Sequence, residues 1–291
     1  MLMAIIDSII NYRRSLKRKN CAKGTVKNYM NALKNFVIHV DVPIEKVTNQ
    51  HIQIYIDSLL DKRLEPKTIN NILDSIRSFY NYLHNEEKVI GDNPVKKGYS
   101  LRLGNPLPKH LRSEEVEKLF RYIRNLRDHA MFMVMLRCGL RVEEVANLTW
   151  NAIDFKRAQI LVFRGKGTKG RVVYFSQDTY DVLTKYLKQK KSAGVQSVFL
   201  VEKGPYKGKS ISVRGIQKRI EWYSKMAGIK VSCHQLRHTM ATQLLNADAD
   251  LTTIQDLLGH NRITTTQRYC KVSNLKVQRD YHKAMAYVLQ K

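Results

Sequence analysis

The segment 159–175, QILVFRGKGTKGRVVYF, decides the fold class, because the spacing of apolar residues changes here from a helical period to a period of two. Its two β-rich runs flank a glycine-punctuated turn that holds Lys166. This pattern predicts a β-hairpin with lysines at its tip. The run 198–201 predicts a third strand, and helical patterns lie on both sides of the strands. The predicted class is therefore mainly α, of the α+β type, with a small antiparallel sheet.

Sequence signals for helices occur throughout the part of the chain that precedes the hairpin. Helices are predicted to begin near Ser113 and Asp128, and Gly139 is a natural helix end. Further upstream, Thr48 is a predicted helix cap, and Pro66 suits the first position of a helix. These signals predict a bundle of amphipathic helices at the N-terminus.

The 291 residues exceed an ordinary single domain, so the length predicts two domains. Residues 1–90 form the predicted helical bundle, and 109–291 form the second domain. The segment between them, 91–108, lacks a periodic apolar pattern and predicts a linker. The tail at about 273–291 has the apolar spacing of an amphipathic helix.

The composition indicates a polyanionic partner. Lys and Arg number 51 against 25 Asp and Glu, which leaves a net charge of +26, and both halves of the chain are basic. Nucleic acid is favoured over an anionic membrane surface. The longest apolar run, 130–136, is far shorter than the roughly 20 residues that cross a bilayer, so no membrane span is predicted. Four cysteines without a CxxC pair suit a reducing cytoplasm.

Four short patterns in the second half contain the candidate catalytic side chains. They are CGLRVEEVANL at 138–148, the turn with Lys166, HQLRH at 234–238, and LLGH at 257–260, with Tyr269 nine residues later. Each pattern alone is weak, because an isolated Arg or His is more often structural. Their joint occurrence, in this order and in one basic domain, favours a common functional role for these residues.

The set resembles the tyrosine recombinases of the phage-integrase and Xer group, over about 107–272 by motif and over the preceding helices by architecture. The residues that carry the resemblance are Arg141, Lys166, His234, Arg237, His260 and Tyr269. The resemblance implies a SAM-like core-binding domain at 1–90, a mixed α+β catalytic domain at 109–291, and an exchange helix at about 273–291. It also implies no cofactor and no metal. The expected partners are double-stranded DNA recombination sites, with a homotetramer on two of them.

The resemblance also implies the role of each residue. Tyr269 is the nucleophile that forms a 3′-phosphotyrosyl intermediate, and Lys166 protonates the leaving 5′-oxygen. His234 assists proton transfer at the tyrosine, and His260 hydrogen-bonds a phosphate oxygen. Arg141 and Arg237 form the oxyanion clamp, and their planar forks independently suit two non-bridging phosphate oxygens. A tyrosine, with an ordinary pKa near 10, needs such neighbours to attack at neutral pH.

Three alternatives stay open on the sequence. His234 and His238 stand one helical turn apart, as in zinc hydrolases, but Gln235 occupies the place of the catalytic glutamate, and His238 is better explained as a packing residue. A DNA-binding protein without catalysis is the second alternative, and a type IB topoisomerase the third. The resemblance implies strand exchange through a Holliday junction. The short chain favours Xer-like resolution or a mobile-element recombinase, such as one for transposon cointegrates.

Overall fold

The computed structural model describes residues 2–104, 108–163, 170–189, 195–260, 263–267, 269, 278, 279, 281, 282, 285 and 286. The chain divides into two compact units, Met1–Asn105 and Pro106–Lys291. This division falls within the predicted linker. Among the described residues, no helix is long and apolar enough to span a bilayer.

The first unit is helical. Its helices are α1 (Leu2–Arg18), α2 (Lys23–Val40), α3 (Asn49–Asp61) and α4 (Pro66–Tyr82). The predicted cap is confirmed, because Thr48 and His51 form a reciprocal capping box at the start of α3. The predicted first-turn proline of α4 is confirmed as well. The buried faces of these helices meet in one apolar core around Leu33, Ile52 and Leu73.

Part of the predicted linker packs on this first unit. Val95 is 2% exposed and belongs to its core. Asn70 of α4 donates a hydrogen bond to the carbonyl of Leu101 and accepts one from its N–H, at 2.9 and 2.8 Å. Arg77 donates to the carbonyl of Val95 at 3.1 Å. The apolar residues here are too few to produce a periodic pattern, which explains why the sequence suggested a free connection.

The second unit combines helices with a small sheet, which confirms the predicted fold class. Its helices are α5 (Ser113–Tyr122), α6 (Leu126–Cys138), α7 (Val142–Ala146), α8 (Gln177–Gln189), α9 (Val213–Ala227), α10 (Cys233–Asn246), α11 (Leu251–Leu258) and α12 (Ile263–Gln267). Its strands are β1 (Ile153–Asp154), β2 (Gln159–Val162) and β3 (Arg171–Tyr174), antiparallel in the order β1-β2-β3. The hairpin turn with Lys166 lies outside the described residues.

The predicted third strand at 198–201 is wrong. Ile153–Asp154 pairs with β2 instead, and Leu200 forms only an isolated bridge with Ser210. Val198 and Phe199 are buried in the core, where Phe199 stacks on Tyr186 with ring centroids 5.8 Å apart. A short buried apolar run satisfies the pattern of a strand without pairing as one.

Two helix ends in this unit position the candidate site. Gly139 ends α6 and Gly259 ends α11, with φ of 64° and 60°, in the left-handed region that suits glycine. A side chain at Gly139 would also bring its Cβ within 2.9 Å of Met240 Sδ on α10. Glycine at this position therefore permits both the turn and the close approach of α6 to α10.

The predicted C-terminal helix is described at six positions. Residues 278, 279, 281, 282, 285 and 286 are helical, and the remainder of 273–291 lies outside the described residues. Arg279 donates hydrogen bonds to the carbonyl of Asn246 and to Asp248. The exchange helix therefore stays a prediction.

Candidate active site

Arg237 lies in the interior of the second unit, between the ends of two helices, and is 2% exposed. Its Nη atoms donate hydrogen bonds to the carbonyl of Gly139, just after α6, and to that of Leu258, the last residue of α11. Because helix C-termini carry partial negative charge, they stabilise this buried guanidinium. Burial and the charges of Arg141 and Arg171 lower the pKa of Arg237 to about 9, so it is still charged at neutral pH.

Arg141 and Arg171 share the carboxylate of Glu144. Arg141 precedes α7, and its Nη1 and backbone N–H donate to Glu144 at 3.0 and 2.7 Å. Arg171 opens β3 and donates from both Nη atoms to the two carboxylate oxygens, each at 2.8 Å. Arg171 Nε donates to the carbonyl of Leu257 at 2.7 Å, and Arg141 Nη2 to that of Gly259 at 3.3 Å. Glu144 therefore joins the start of α7, the hairpin strand and the end of α11.

An excess of positive charge is present in the cluster formed by Arg141, Glu144, Arg171 and Arg237. Burial acts to raise the pKa of Glu144, but hydrogen bonds from Arg171 and from the backbone of Arg141 lower it to about 2. Among the described residues, no other carboxylate lies within 4.0 Å of the guanidinium groups of Arg141, Arg171 and Arg237. Three guanidinium groups thus face one carboxylate, an arrangement suited to binding an anion.

Two histidines border this charged cluster. Burial lowers the pKa of His260, and partial burial lowers that of His234, whose side chain also has an exposed face. The positive charges of Arg237 and Arg141 lower both further. The pKa of His260 falls to about 4. Both imidazoles are therefore neutral at neutral pH. His260 Nδ1 lies 3.0 Å from the hydroxyl of Thr266 on α12, which orients the ring.

Tyr269 follows α12 and is 1% exposed. Its hydroxyl lies 2.6 Å from Nδ1 of His238. Its ring is nearly parallel to that of His260, with centroids 6.5 Å apart. The His238 ring in turn packs edge to face on His234, with centroids 4.2 Å apart. Tyr269 therefore lies among all three histidines of the two His-containing motifs.

The fold brings five of the six candidate residues into one region. They are Arg141, His234, Arg237, His260 and Tyr269, connected by the contacts at Gly139, at 258–259 and at His238. The sixth candidate, Lys166, lies outside the described residues. No contact described here assigns their roles, which stay predictions.

The sequence interpretation missed three residues of this region. Glu144 stands three residues after Arg141 in the motif 138–148, and this spacing is the signal that could have identified it. Arg171 is the first residue of a β-rich run, and nothing in the neighbouring sequence distinguishes it from an ordinary solvent-exposed residue of a strand. His238 was assigned to packing, whereas its ring nitrogen reaches the tyrosine hydroxyl.

The zinc alternative depends on further ligands near His234 and His238. Among the described residues, no group of three or more His, Cys, Asp or Glu side chains is arranged to hold a metal ion. The two rings pack against each other at an interplanar angle of 77°. In this part of the chain, the histidine pair thus lies beside arginines and a tyrosine.

Comparison with known proteins gives matches over both units. Residues 109–275 match the Phage integrase family. Residues 9–88 match the phage integrase N-terminal SAM-like domain. The first match contains all six candidate residues.

Curated relatives match over almost the whole chain. A tyrosine recombinase XerC of Oceanobacillus iheyensis is 32% identical over 298 residues, which cover 96% of this chain and 95% of the relative. A tyrosine recombinase XerC of Thermodesulfovibrio yellowstonii is 33% identical over 276 residues, with 91% of each protein covered. Among solved structures, the XerH site-specific recombinase bound to a palindromic difH substrate, a post-cleavage complex, has a TM-score of 0.74 at 22% identity. That match covers 92% of this chain and 81% of the other, and it shows similarity of fold.

Proposed function

Because the chain belongs to the phage integrase family of tyrosine recombinases, we propose that Tyr269 attacks a DNA phosphodiester and forms a 3′-phosphotyrosyl bond. The enzyme is a site-specific recombinase that breaks and rejoins DNA. The observation that carries the proposed chemistry is the position of the Tyr269 hydroxyl, which lies beside His238 in a region where arginines exceed carboxylates. A nucleophile and countercharge for a phosphate are thereby present together.

The charge of the cluster suits the transition state better than the ground state. Three arginines and Glu144 leave two positive charges in excess. A bound phosphodiester contributes one negative charge, and the pentacoordinate phosphorane a second. The proposed clamp of Arg141 and Arg237 therefore becomes neutralised as the bond to Tyr269 forms. Arg171 and Glu144 hold Arg141 in place beneath the phosphate.

The remaining candidates are proposed to handle protons and phosphate oxygens. Lys166, on the hairpin that ends in β3, protonates the leaving 5′-oxygen. His260, neutral and oriented by Thr266, donates a hydrogen bond to a non-bridging oxygen. His234, on the exposed side of the histidine pair, assists proton transfer at the tyrosine. The phosphotyrosyl bond conserves the energy of the phosphodiester, so the reaction needs no cofactor.

Strand exchange follows from this covalent intermediate. The proposed assembly is a homotetramer that holds two double-stranded DNA sites and exchanges strands through a Holliday junction. The helix predicted at 273–291 packs on a neighbouring protomer. The bundle at 1–90 and the catalytic domain at 109–291 both contact DNA, which the net charge of +26 supports.

The proposed biological role is Xer-like dimer resolution or the recombination of a mobile element, in the cytoplasm. Two XerC relatives that cover more than nine-tenths of the chain support the Xer-like assignment. The XerH structure is of a protein bound to a recombination substrate, which supports DNA as the partner of this chain. The natural site is to be found among sequences that flank the gene and among Xer-type sites.

The proposal is tested with nicked suicide duplexes that carry those sequences. A nick beside the cleavage point lets a short fragment leave, which traps the protein on the DNA as an adduct that a denaturing gel resolves. We expect an adduct with the wild type and none with Tyr269→Phe, whereas both proteins bind the duplex equally well. The matched control is Tyr174→Phe, because Tyr174 is 61% exposed on β3 and outside the cluster.

An adduct that persists in Tyr269→Phe would disprove the assignment of the nucleophile. If the wild type binds a duplex tightly and forms no adduct on any nicked version of it, the catalytic proposal fails, and DNA binding without cleavage replaces it.

A further inference from the structure

We infer that His238, the last residue of the HQLRH motif and not one of the six candidate residues, is the catalytic residue that accepts the proton of the Tyr269 hydroxyl. The inference rests on the proposed function, because it concerns the same nucleophile. It adds a seventh residue to the candidate set and assigns it a direct chemical step.

The geometry of the pair carries the inference. Nδ1 of His238 lies 2.6 Å from the Tyr269 oxygen, within the distance at which a proton transfers directly. The ring centroids are 5.5 Å apart, and the rings are tilted by 57°. In the tautomer that carries its proton on Nε2, Nδ1 of His238 accepts a hydrogen bond from the phenol, which is the arrangement that a general base requires.

Neither of the other histidines occupies this position. His260 faces Tyr269 with its ring nearly parallel, and its Nδ1 lies 3.0 Å from Thr266 Oγ1. His234 is exposed and touches the His238 ring edge to face, so its proposed assistance to proton transfer acts on Tyr269 through His238. His238 is thus the residue whose nitrogen points to the nucleophilic oxygen.

The surroundings hold both partners and limit the access of water. Tyr269 packs in a small apolar cluster and is 1% exposed. Its backbone N–H donates to the carbonyl of Thr266 at 3.0 Å, and the hydroxyl of Thr242 donates to the carbonyl of His238 at 3.1 Å. Because the tyrosine is shielded from bulk solvent, its proton needs an acceptor within the protein.

The charges around the pair favour the products of the transfer. Arg237 is adjacent to His238 on α10 and lies close enough to Tyr269 for the two charges to interact. A phenolate is therefore stabilised beside it. The imidazolium and the second negative charge of the phosphorane arise in the same step, and these two opposite charges attract each other.

The proposed step is balanced without a co-reactant. The Oη–H bond of Tyr269 breaks, and its proton moves to Nδ1 of His238 as the Oη–P bond forms. The P–O5′ bond breaks, and the leaving oxygen takes a proton from the acid, for which Lys166 is proposed. Religation reverses each transfer, and the tyrosine recovers its proton from His238.

Two variants and one control separate proton acceptance from positioning. His238→Phe keeps a ring but removes the acceptor. His238→Asn places an acceptor near the position of Nδ1 but cannot take up a proton at neutral pH. The control is His129→Asn, because His129 packs on Phe120 at 5.2 Å, away from the cluster.

The experiment measures single-turnover cleavage of the nicked duplex with a normal 5′-oxygen and with a 5′-bridging sulfur. Sulfur leaves without an acid, so a defect at the leaving group disappears on that substrate, and a defect at the nucleophile does not. We expect the cleavage rate of His238→Phe to fall by about 10²- to 10⁴-fold on both substrates, because this is the usual contribution of general base catalysis. His238→Asn should cleave both substrates at least about tenfold more slowly than the wild type. His129→Asn should cleave both at the wild-type rate.

Three results would overturn the inference while wild-type cleavage upholds the proposed function. One is a rate for His238→Phe equal to that of the control. Another is full recovery in His238→Asn, which would make His238 a positioning residue only. The third is recovery of the variants on the sulfur substrate, which would move their defect to the leaving group. DNA binding and thermal unfolding of each variant are measured in parallel, and His238→Asn alone decides if His238→Phe does not fold.

Discussion

The second unit contains two arginine clusters, each built around one buried arginine, that are neutralised to very different degrees. In the structural cluster, Arg127 and Arg219 both bind Asp128, which is fully buried, with their shortest contacts at 2.6 Å. Tyr223 donates to the same carboxylate at 3.1 Å, and Glu202 lies 3.9 Å from Arg127. Two carboxylates thus balance two arginines.

The active-site cluster is left with excess charge. It consists of Arg141, Glu144, Arg171 and Arg237. Here one carboxylate faces three arginines, and the carbonyls of Gly139 and Leu258 bind the terminal nitrogens of Arg237. A buried charge without an ionic partner costs stability unless a ligand supplies the partner. The contrast teaches that a cluster whose charges balance is suited to holding the fold together, whereas one with excess positive charge is suited to binding an anion.

The largest expected effect breaks the structural cluster. Asp128→Asn should destabilise the second unit by about 3–5 kcal/mol, because it leaves the buried Arg127 and the half-buried Arg219 without their shared carboxylate. Chemical denaturation of the full chain measures the change. The control Glu221→Gln, which removes an exposed pair with Arg214, should change the free energy of unfolding by less than about 1 kcal/mol. Equal effects of the two variants would contradict the distinction.

The next effect concerns activity rather than stability. Arg237→Lys keeps the positive charge but loses the planar fork, so single-turnover cleavage should fall by about 10²- to 10³-fold. Thermal unfolding is measured in parallel, because Arg237→Lys also changes the hydrogen bonds to the carbonyls of Gly139 and Leu258. Arg219→Lys in the structural cluster is the matched control and should cleave at the wild-type rate. If Arg219→Lys loses as much cleavage as Arg237→Lys, the two clusters do not differ in function.

The smallest effect is a pH dependence of stability that comes from Glu144. Its pKa in the folded protein is about 2, below the ordinary value of 4.5, so its carboxylate stabilises the fold above pH 4.5. This contribution, up to roughly 3 kcal/mol, is lost as the pH falls from about 4.5 to 2. Urea denaturation should therefore show a larger free energy of unfolding for the wild type than for Glu144→Gln at pH 7. The difference between the two should shrink toward pH 3. A difference that does not change with pH would show that the charge of Glu144 is not responsible.

Local signals predicted much of the fold. Thr48, Pro66 and Gly139 act on their own few residues of backbone, and each has the expected place at a helix end. The hairpin followed from its period of two. The predicted strand at 198–201 was wrong because burial and strand pairing favour the same residue types, and only the neighbours in space distinguish them.

The sequence by itself determined the family, the fold class and the types of side chain available for chemistry, because motif spacing and periodicity are properties of neighbouring residues. Only the tertiary structure decided the partners. Arg171 and Glu144 are 27 residues apart, His238 and Tyr269 are 31 apart, and Arg237 and Gly139 are 98 apart. No local pattern encodes such contacts, since they arise when α6, α10 and α11 pack together around shared buried side chains. Packing therefore places the half-buried His238 within hydrogen-bond distance of the Tyr269 hydroxyl.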